Sequence, residues 1–401
     1  MSSYMMSARF LAKKRILFIA EHIKEPHGSA LSAIDVLRSV PSSCKKFILT
    51  ERPIAKGSYL HGAIRLTRTP LALRFRLFSI AQPAFKIFVW LYSLVFFLWF
   101  RYAKFDLVIV NGFGSSSLWE KVRLLIPSST PSAVVSRESP RHFDSGDRIY
   151  SLADQIKFLR TFKYQIFVSS ALKSEWIELA DLNSELAYYL PNCCEEKKFL
   201  TICPESSGAA LVRTRNDIPA DIPIILNVGT IELRKGQQDL ERLAKHLNKR
   251  GRDFRIACVG FDGTAQGTYF RQRIQDSALS GFFLFPGATD EIQYWYQGAT
   301  LLAFTSRAEA MPRTVLEAMA SALPIVSTNV DGIPELIEHN KNGLLYCPGD
   351  TYELIAGVEC IIDNPDIASD LGANARQKYI NHFSQAHHAK RMGDILATVI
   401  R

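Results

Sequence analysis

The chain has 401 residues, too many for one ordinary hydrophobic core, so two domains are expected. Its composition, 47% hydrophobic and 22% charged, is that of an ordinary globular protein. The seven cysteines form no CxxC pair and have no histidine spacing suited to zinc, which argues against a metal site and fits reduced thiols in a cytoplasmic protein. The net charge of +9 is uneven: residues 1–104 hold 17 Lys and Arg against 4 Asp and Glu, and the remainder 31 against 35. Such a balance suits an anionic membrane surface or another acidic partner. No stacking motif or recognition element accompanies the charge, so nucleic acid is not expected as a partner.

In chain order, Met1–Leu11 does not read as a signal peptide, because Ser and Arg9 interrupt its apolar content. Arg15–Ala20 reads as a strand, followed by a loop with His27, Gly28 and Ser29 and a helix over Ala30–Val40. Lys46–Thr50 is a second strand. A helix over 84–101 holds the most apolar run, IFVWLYSLVFFLWF at 87–100. Fourteen residues reach about 21 Å as a helix, short of the roughly 30 Å hydrocarbon core. Two readings stand side by side, a core helix and an interfacial one with Trp90, Tyr92, Trp99 and Tyr102 at headgroup depth.

Strands are expected again at Asp106–Val110, Ser132–Ser136, Gln165–Ser169 and Leu186–Leu190. Around Glu205–Pro223 the pattern weakens into Ser, Gly, Asn, Asp and Pro, a domain junction. The alternation then restarts, with strands at Pro223–Val228, Arg255–Val259, Phe282–Phe285, Leu301–Phe304, Pro324–Val326 and Leu344–Tyr346. Continuous Val, Ile and Leu runs separated by helices predict α/β architecture with parallel sheets covered on both faces. The predicted division is 1–210, 211–382 and a final helix, 383–401, that crosses back to the first domain.

Ligands of such sheets bind at the carboxyl ends of the strands, and the polar candidates fall there. Gly229, Arg234 and Lys235 follow one strand, Gly260 a second and Gly287 a third. The densest element is Ser306–Ala320, where Glu309 ends a buried strand and Glu317 lies about one turn into a helix that starts near Pro312. Helix-start amides suit an anion, and a carboxylate on each side suits sugar hydroxyls. Taken singly, a Glu pair or an Arg-Lys-Gly loop is more often a solvated surface feature.

The ordered series Val-Gly, Lys-Gly, Val-Gly, Pro-Gly, E-x7-E continued by Glu317-Ala318-Met319-Ala320, Gly332-Ile333-Pro334-Glu335 and Asn342-Gly343-Leu344-Leu345 resembles the retaining glycosyltransferases of family 4, as in bacterial cell-surface polysaccharide synthesis. The likeness is dense over 223–349 and looser before it. It implies the GT-B fold, two Rossmann-like domains facing a cleft, and transfer of a sugar from a UDP- or GDP-sugar to a glycan or lipid-linked glycan with retained configuration. It implies no metal and no cofactor, the nucleotide sugar being a substrate.

Carried over residue by residue, Glu309 contacts donor-sugar hydroxyls and Glu317 the ribose. Lys235 faces the diphosphate with Met311, Pro312 and the backbone at Arg313, Thr314 and Val315, while Gly28 admits the phosphates from the opposing domain. Two positions depart from the family pattern. Thr230 stands where an Arg is common, which leaves Arg234 to supply the charge, and the loop after Ser132–Ser136 carries Arg137, Glu138 and, further on, His142 where a His is common. Glu138 is a candidate to orient the acceptor, with Arg137 and His142 beside it. A non-catalytic nucleotide-sugar-binding protein and a nucleotide-sugar epimerase are the alternatives. The expected location is the cytoplasm, at the cytoplasmic face of the membrane through residues 1–104.

Overall fold

A computed structural model describes residues 11–20, 28–50, 63–67, 98, 100, 102–140, 151–199 and 208–400. The expected helix over 84–101 therefore lies outside the described residues except at Leu98 and Phe100, and His142 lies outside them as well. The chain forms two compact units, Met1–Pro191 with His388–Arg401, and Asn192–His387.

The first unit is a seven-stranded sheet in the order β3-β2-β1-β4-β5-β6-β7, comprising β1 Arg15–Ala20, β2 Lys45–Thr50, β3 Ala63–Thr67, β4 Leu107–Asn111, β5 Ser132–Ser136, β6 Tyr164–Phe167 and β7 Ala187–Tyr189. Every neighbouring pair is parallel. Helices α1 Gly28–Ser39, α2 Ser116–Val122, α3 Leu152–Leu159 and α4 Ser170–Ala180 follow β1, β4, β5 and β6 in the chain. Sequence reading finds neither β3 nor α3 and α4. A Ser151–Asp154 capping box fixes the start of α3.

The second unit contains α5 Glu196–Phe199, α6 Gly208–Arg215, β8 Ile224–Val228, α7 Gln238–Lys249, β9 Arg255–Val259, α8 Ala265–Gln275, β10 Phe283–Gly287, α9 Ile292–Gly298, β11 Leu301–Phe304, α10 Arg313–Ala320, β12 Ile325–Thr328, α11 Ile333–Leu336, β13 Leu344–Tyr346, α12 Thr351–Asp363 and α13 Pro365–His382. Its sheet order, β10-β9-β8-β11-β12-β13, is all parallel. Pro286 is tolerated because β10 is an edge strand, where a missing N–H breaks no ladder between two neighbours, and the register shifts between Leu284 and Gly287.

Helix α7 shows how sequence places these layers. Leu240, Leu243, Ala244 and Leu247 recur at i, i+3, i+4 and i+7 and are completely buried. Its opposite face is charged, with Lys245 Nζ 2.8 Å from Glu241 Oε1 and Arg250 Nη1 2.9 Å from Glu359 Oε1. The end is a Schellman turn: Arg252 N donates to Leu247 O and Gly251 N to Asn248 O. Phe254, just beyond, stacks on Phe282 with centroids 4.5 Å apart.

Two expectations are corrected. The division falls after Pro191, not at 210/211, because the following segment is tied into the second sheet's helices. Asn192 Nδ2 donates to Met311 O (2.8 Å), and the Cys194 thiol donates to Tyr379 Oη (3.3 Å). The supposed junction also contains α6, which packs on α9 through small residues: a Cβ on Gly298 would lie 3.3 Å from Ala209 Cα. Its sequence, GAALVRTR, has too few large apolar side chains to show a period. The last helix, α14 Gln385–Val399, joins the first unit from His388 onward, where His388 Nδ1 lies 2.6 Å from Ser39 Oγ.

Phe254→Ala should cost about 3–5 kcal/mol, read as a lower denaturation midpoint at unchanged m-value; a loss under about 1 kcal/mol would show that this stack does not hold the start of β9 to that of β10.

Candidate functional site

In the second unit the strand order reverses between β8 and β11, and the crevice at the carboxyl ends of those two strands is the topological switch point. Asn227, buried in β8, donates to Ala303 O (2.8 Å) and locks the two strands together. The chain leaves β8 at Gly229, and a short 3-10 turn, Leu233–Lys235, brings Arg234 and Lys235 back over the sheet edge. Gly236 ends that turn at φ +66, and a Cβ there would stand 2.2 Å from Thr305 O, so only glycine lets the two loops close. Thr305 Oγ1 donates to Lys235 O (2.7 Å), and Arg307 N donates to Arg234 O (2.7 Å).

Glu309 is the focus of this closure. Its Oε1 accepts from Arg234 Nη1 (2.7 Å), from Lys235 Nζ and from Ser306 Oγ (3.0 Å). Its backbone N donates to Asp331 Oδ2 (2.8 Å), which joins the loop after β12 to the loop after β11. Arg234 also donates to Glu232 Oε1 (2.7 Å) and to Ala308 O (2.9 Å). Burial acts to lower the Arg234 pKa, but Glu309 and Glu232 together outweigh it and raise it, so the guanidinium stays charged. Both cations thus face Glu309, a closer engagement than the sequence predicts.

Gly229, Gly260 and Gly287 form one row across the ends of β8, β9 and β10. Gly229 N donates to Val259 O (2.9 Å) and Gly260 N to Gly287 O (3.0 Å). At Gly260, φ is +152 and a Cβ would lie 2.1 Å from Gly229 O, so the backbones meet without intervening side chains.

Helix α10 begins after Pro312, and no side chain caps it. The first-turn positions Arg313, Thr314 and Val315 therefore form an anion-ready end. Thr314 Oγ1 is buried and makes no hydrogen bond among the described residues. Met311 and Pro312 are buried; Met311 offers its carbonyl to Asn192, so these two shape the helix start rather than present polar groups. Glu317, 7% exposed, accepts from Tyr296 Oη at its Oε2 (3.0 Å), and its Oε1 lies 3.9 Å from Arg313 Nε. Arg313 Nη1 donates to Cys193 O (2.8 Å).

A second buried pair braces the Glu309 loop. Arg307 Nη2 donates to Asp239 Oδ2 (2.6 Å) in the first turn of α7. Burial raises the Asp239 pKa above its ordinary 3.8, and the opposing pull of Arg307 does not cancel that rise.

The first unit holds the remaining candidates. Gly28 opens α1. Arg137 Nη1 donates to Asn111 Oδ1 (2.5 Å), and Arg137 N donates to Glu138 Oε2 (3.2 Å), at the carboxyl ends of β4 and β5. Trp176 Nε1 donates to Glu138 O (2.9 Å) and holds that loop on α4. Sequence reading missed Ser306, Asp331, Tyr296 and the Asp239–Arg307 pair. The first two stand inside loops already singled out; Tyr296 lies on a helix that sequence reading does not find. Among the described residues no group of three or more His, Cys, Asp or Glu could hold a metal ion, and no helix is long and apolar enough to cross a membrane.

With this geometry in hand, comparison with known proteins is direct. The class comes first: the fold is GT-B, two Rossmann-like α/β units. The structure of Anabaena HepE in complex with UDP-glucose matches with a TM-score of 0.76 and 20% identity, covering 96% of this chain and 99% of that one. Sucrose-phosphate synthase from Thermosynechococcus elongatus matches at 0.74 and 19%, over 96% and 99%. Residues 211–378 match the model for the family "Glycosyl transferases group 1". An uncharacterized glycosyltransferase of Haemophilus influenzae is 24% identical over 58% of this chain and 61% of its own length. A D-inositol 3-phosphate glycosyltransferase of Corynebacterium kroppenstedtii is 27% identical over 49% and 45%. The chain thus spans about half the length of these curated relatives.

Arg307→Ala should destabilise the protein by about 1–3 kcal/mol near neutral pH, because it leaves the buried Asp239 carboxylate with only the more distant Arg242, 3.8 Å away. Because Asp239 already has a raised folded pKa, its favourable contribution is complete below its unfolded value and is lost as pH rises through the folded one. Removing Arg307 raises the folded value further, so the deficit in melting temperature against wild type should be larger at pH 7 than at pH 4. A deficit independent of pH would contradict this.

Proposed function

We propose that the chain is a retaining glycosyltransferase of family 4 that moves a sugar from a UDP- or GDP-sugar to a glycan or lipid-linked glycan, without a metal ion, in surface polysaccharide or glycoconjugate synthesis. One observation carries the reading: at the switch point, a carboxylate held by two cations, Glu309 with Arg234 and Lys235, lies in the same loop as an uncapped helix start. Solved structures of similar fold contain UDP and UDP-glucose, which supports a nucleotide-sugar donor.

In this reading the donor-sugar hydroxyls bind at Glu309, the ribose hydroxyls at Glu317, and the diphosphate lies between the start of α10 and the Lys235–Arg234 pair. As the bond from the anomeric carbon to the phosphate oxygen breaks, negative charge grows on the departing nucleotide. Cations and helix amides already aimed there stabilise it more than they stabilise the intact donor. Lys235 and Arg234 move part of their hydrogen bonding from Glu309 to the diphosphate, and Glu309 turns its freed capacity to the sugar. The acceptor oxygen bonds to the anomeric carbon on the face the nucleotide leaves, and its proton passes to the departing diphosphate oxygen. Glu138 and Arg137, with His142, are the acceptor-side candidates, and Gly28 is the donor-side candidate of the first unit.

Glu309→Ala and Lys235→Ala should each lower transfer by about 10²-fold or more, followed as nucleotide release from a panel of UDP- and GDP-sugars with glycan acceptors. Variants that melt within a few degrees of wild type and turn over at its rate would overturn the proposal. A nucleotide-sugar-binding protein without transferase activity is the second reading, favoured by Thr230 in the common Arg position; binding without transfer to any acceptor would establish it.

Location at the cytoplasmic membrane face, through the basic residues 1–104, belongs to the same proposal. Sedimentation with anionic vesicles should be strong at low salt and weaken as the Debye length shrinks; protein left wholly in the supernatant at low salt would refute it.

A further inference from the structure

We infer that Tyr296 is a positioning residue for Glu317 and sets how strongly the site reads the ribose of the nucleotide. The inference rests on the reading above in which Glu317 accepts from ribose hydroxyls.

Tyr296 lies on α9, is 1% exposed, and packs edge-on against Phe199 with centroids 5.5 Å apart. Its hydroxyl has two acceptors in reach, Glu317 Oε2 at 3.0 Å and Thr314 O at 3.2 Å. A phenol has one proton to give, and Glu317 Oε2 is the nearer of the two acceptors. Burial, with Glu317 beside it, raises the Tyr296 pKa well above the ordinary tyrosine range, so the proton is present at every working pH. The hydroxyl is therefore a permanent donor aimed at one oxygen of one carboxylate.

That matters because the last torsion of a glutamate is soft and broad. Glu317 sits on the fifth residue of α10, buried, where an unpartnered carboxylate would be costly. Tyr296 on one oxygen and Arg313 on the side of the other fix the plane of the group. Arg313 is itself anchored on Cys193 O. Two hydroxyls on adjacent ribose carbons need acceptors in a defined plane, and a carboxylate already held in it gives up less freedom on binding. The bland alternative is that Tyr296 is a core aromatic whose hydroxyl merely finds an acceptor. In that case its loss would weaken every nucleotide alike, whether or not the ribose hydroxyls are present.

The test measures dissociation constants by calorimetry on the full chain for UDP and GDP, each beside its 2′,3′-dideoxy analogue, in wild type, Tyr296→Phe and Glu317→Gln. Wild type should prefer the ribose form by about tenfold or more. Tyr296→Phe should cut that preference by about threefold to tenfold, leaving the dideoxy form within about twofold of wild type. Glu317→Gln should abolish most of it. If wild type shows no preference, the ribose role of Glu317 fails and the inference falls with it. If wild type prefers ribose and Tyr296→Phe keeps the whole preference, only the role of Tyr296 is overturned. Equal weakening of both forms by Tyr296→Phe, or a large loss of melting temperature, would make the hydroxyl a support of the α9–α10 packing instead, and also overturns it.

Discussion

A single carboxylate oxygen, Oε1 of Glu309, receives two cationic side chains and a serine hydroxyl, and the loops around the second switch point are arranged to make that meeting happen. Arg234 and Lys235 come from the turn after β8, Ser306 and Glu309 from the loop after β11, and Asp331 from the loop after β12. Three connections, each short, converge because a parallel sheet sends all its carboxyl ends to one edge. Charge pairing does the rest: Arg234 donates to Glu232 and Glu309, Lys235 to Glu309, and the Glu309 N–H to Asp331, so the charged groups of the cluster tolerate partial burial.

The pairing of both cations to Glu309 has a physical use. Two cations left unpaired in a half-buried crevice would repel each other and be hydrated, and a diphosphate would have to strip that water. Pairing them to Glu309 holds them in place beforehand, and a phosphate replaces one anionic partner by another. The Asp239–Arg307 pair serves the same end from below, since Arg307 is two residues from Glu309 and its backbone N–H already bonds Arg234 O.

Much of this was legible in the chain itself. The strands of the second unit are uninterrupted Val, Ile and Leu runs, and parallel sheets demand such runs, so β8, β9 and β11 emerge within a residue of their ends. Glu309, Lys235 and the three strand-end glycines were legible from their fixed order relative to those strands. What stayed hidden depends on pairing across distance. Asp239 and Arg307 are 68 positions apart, and neither has a local pattern that announces the other. Tyr296 belongs to a seven-residue helix, IQYWYQG, with aromatic and polar residues interleaved, and no apolar stripe marks it. The boundary after Pro191 was missed for a related reason: Asn192 and Cys194 choose their unit through contacts with Met311 and Tyr379, residues far along the chain.

The glycine row at the ends of β8, β9 and β10 has a consequence for how such a site can diversify. Where backbone lies directly against backbone, no side chain is available to tell one flat ligand from another, and Gly260 cannot acquire one without colliding with Gly229 O. The floor of the crevice is thus fixed in shape and silent in chemistry. Any change of ligand preference must be written in the residues that rise beside it, such as Thr230, Phe261 and Ala288, which can vary while the sheet beneath them stays the same. The fold separates a part that must not change from a part that is free to, and places the two one residue apart.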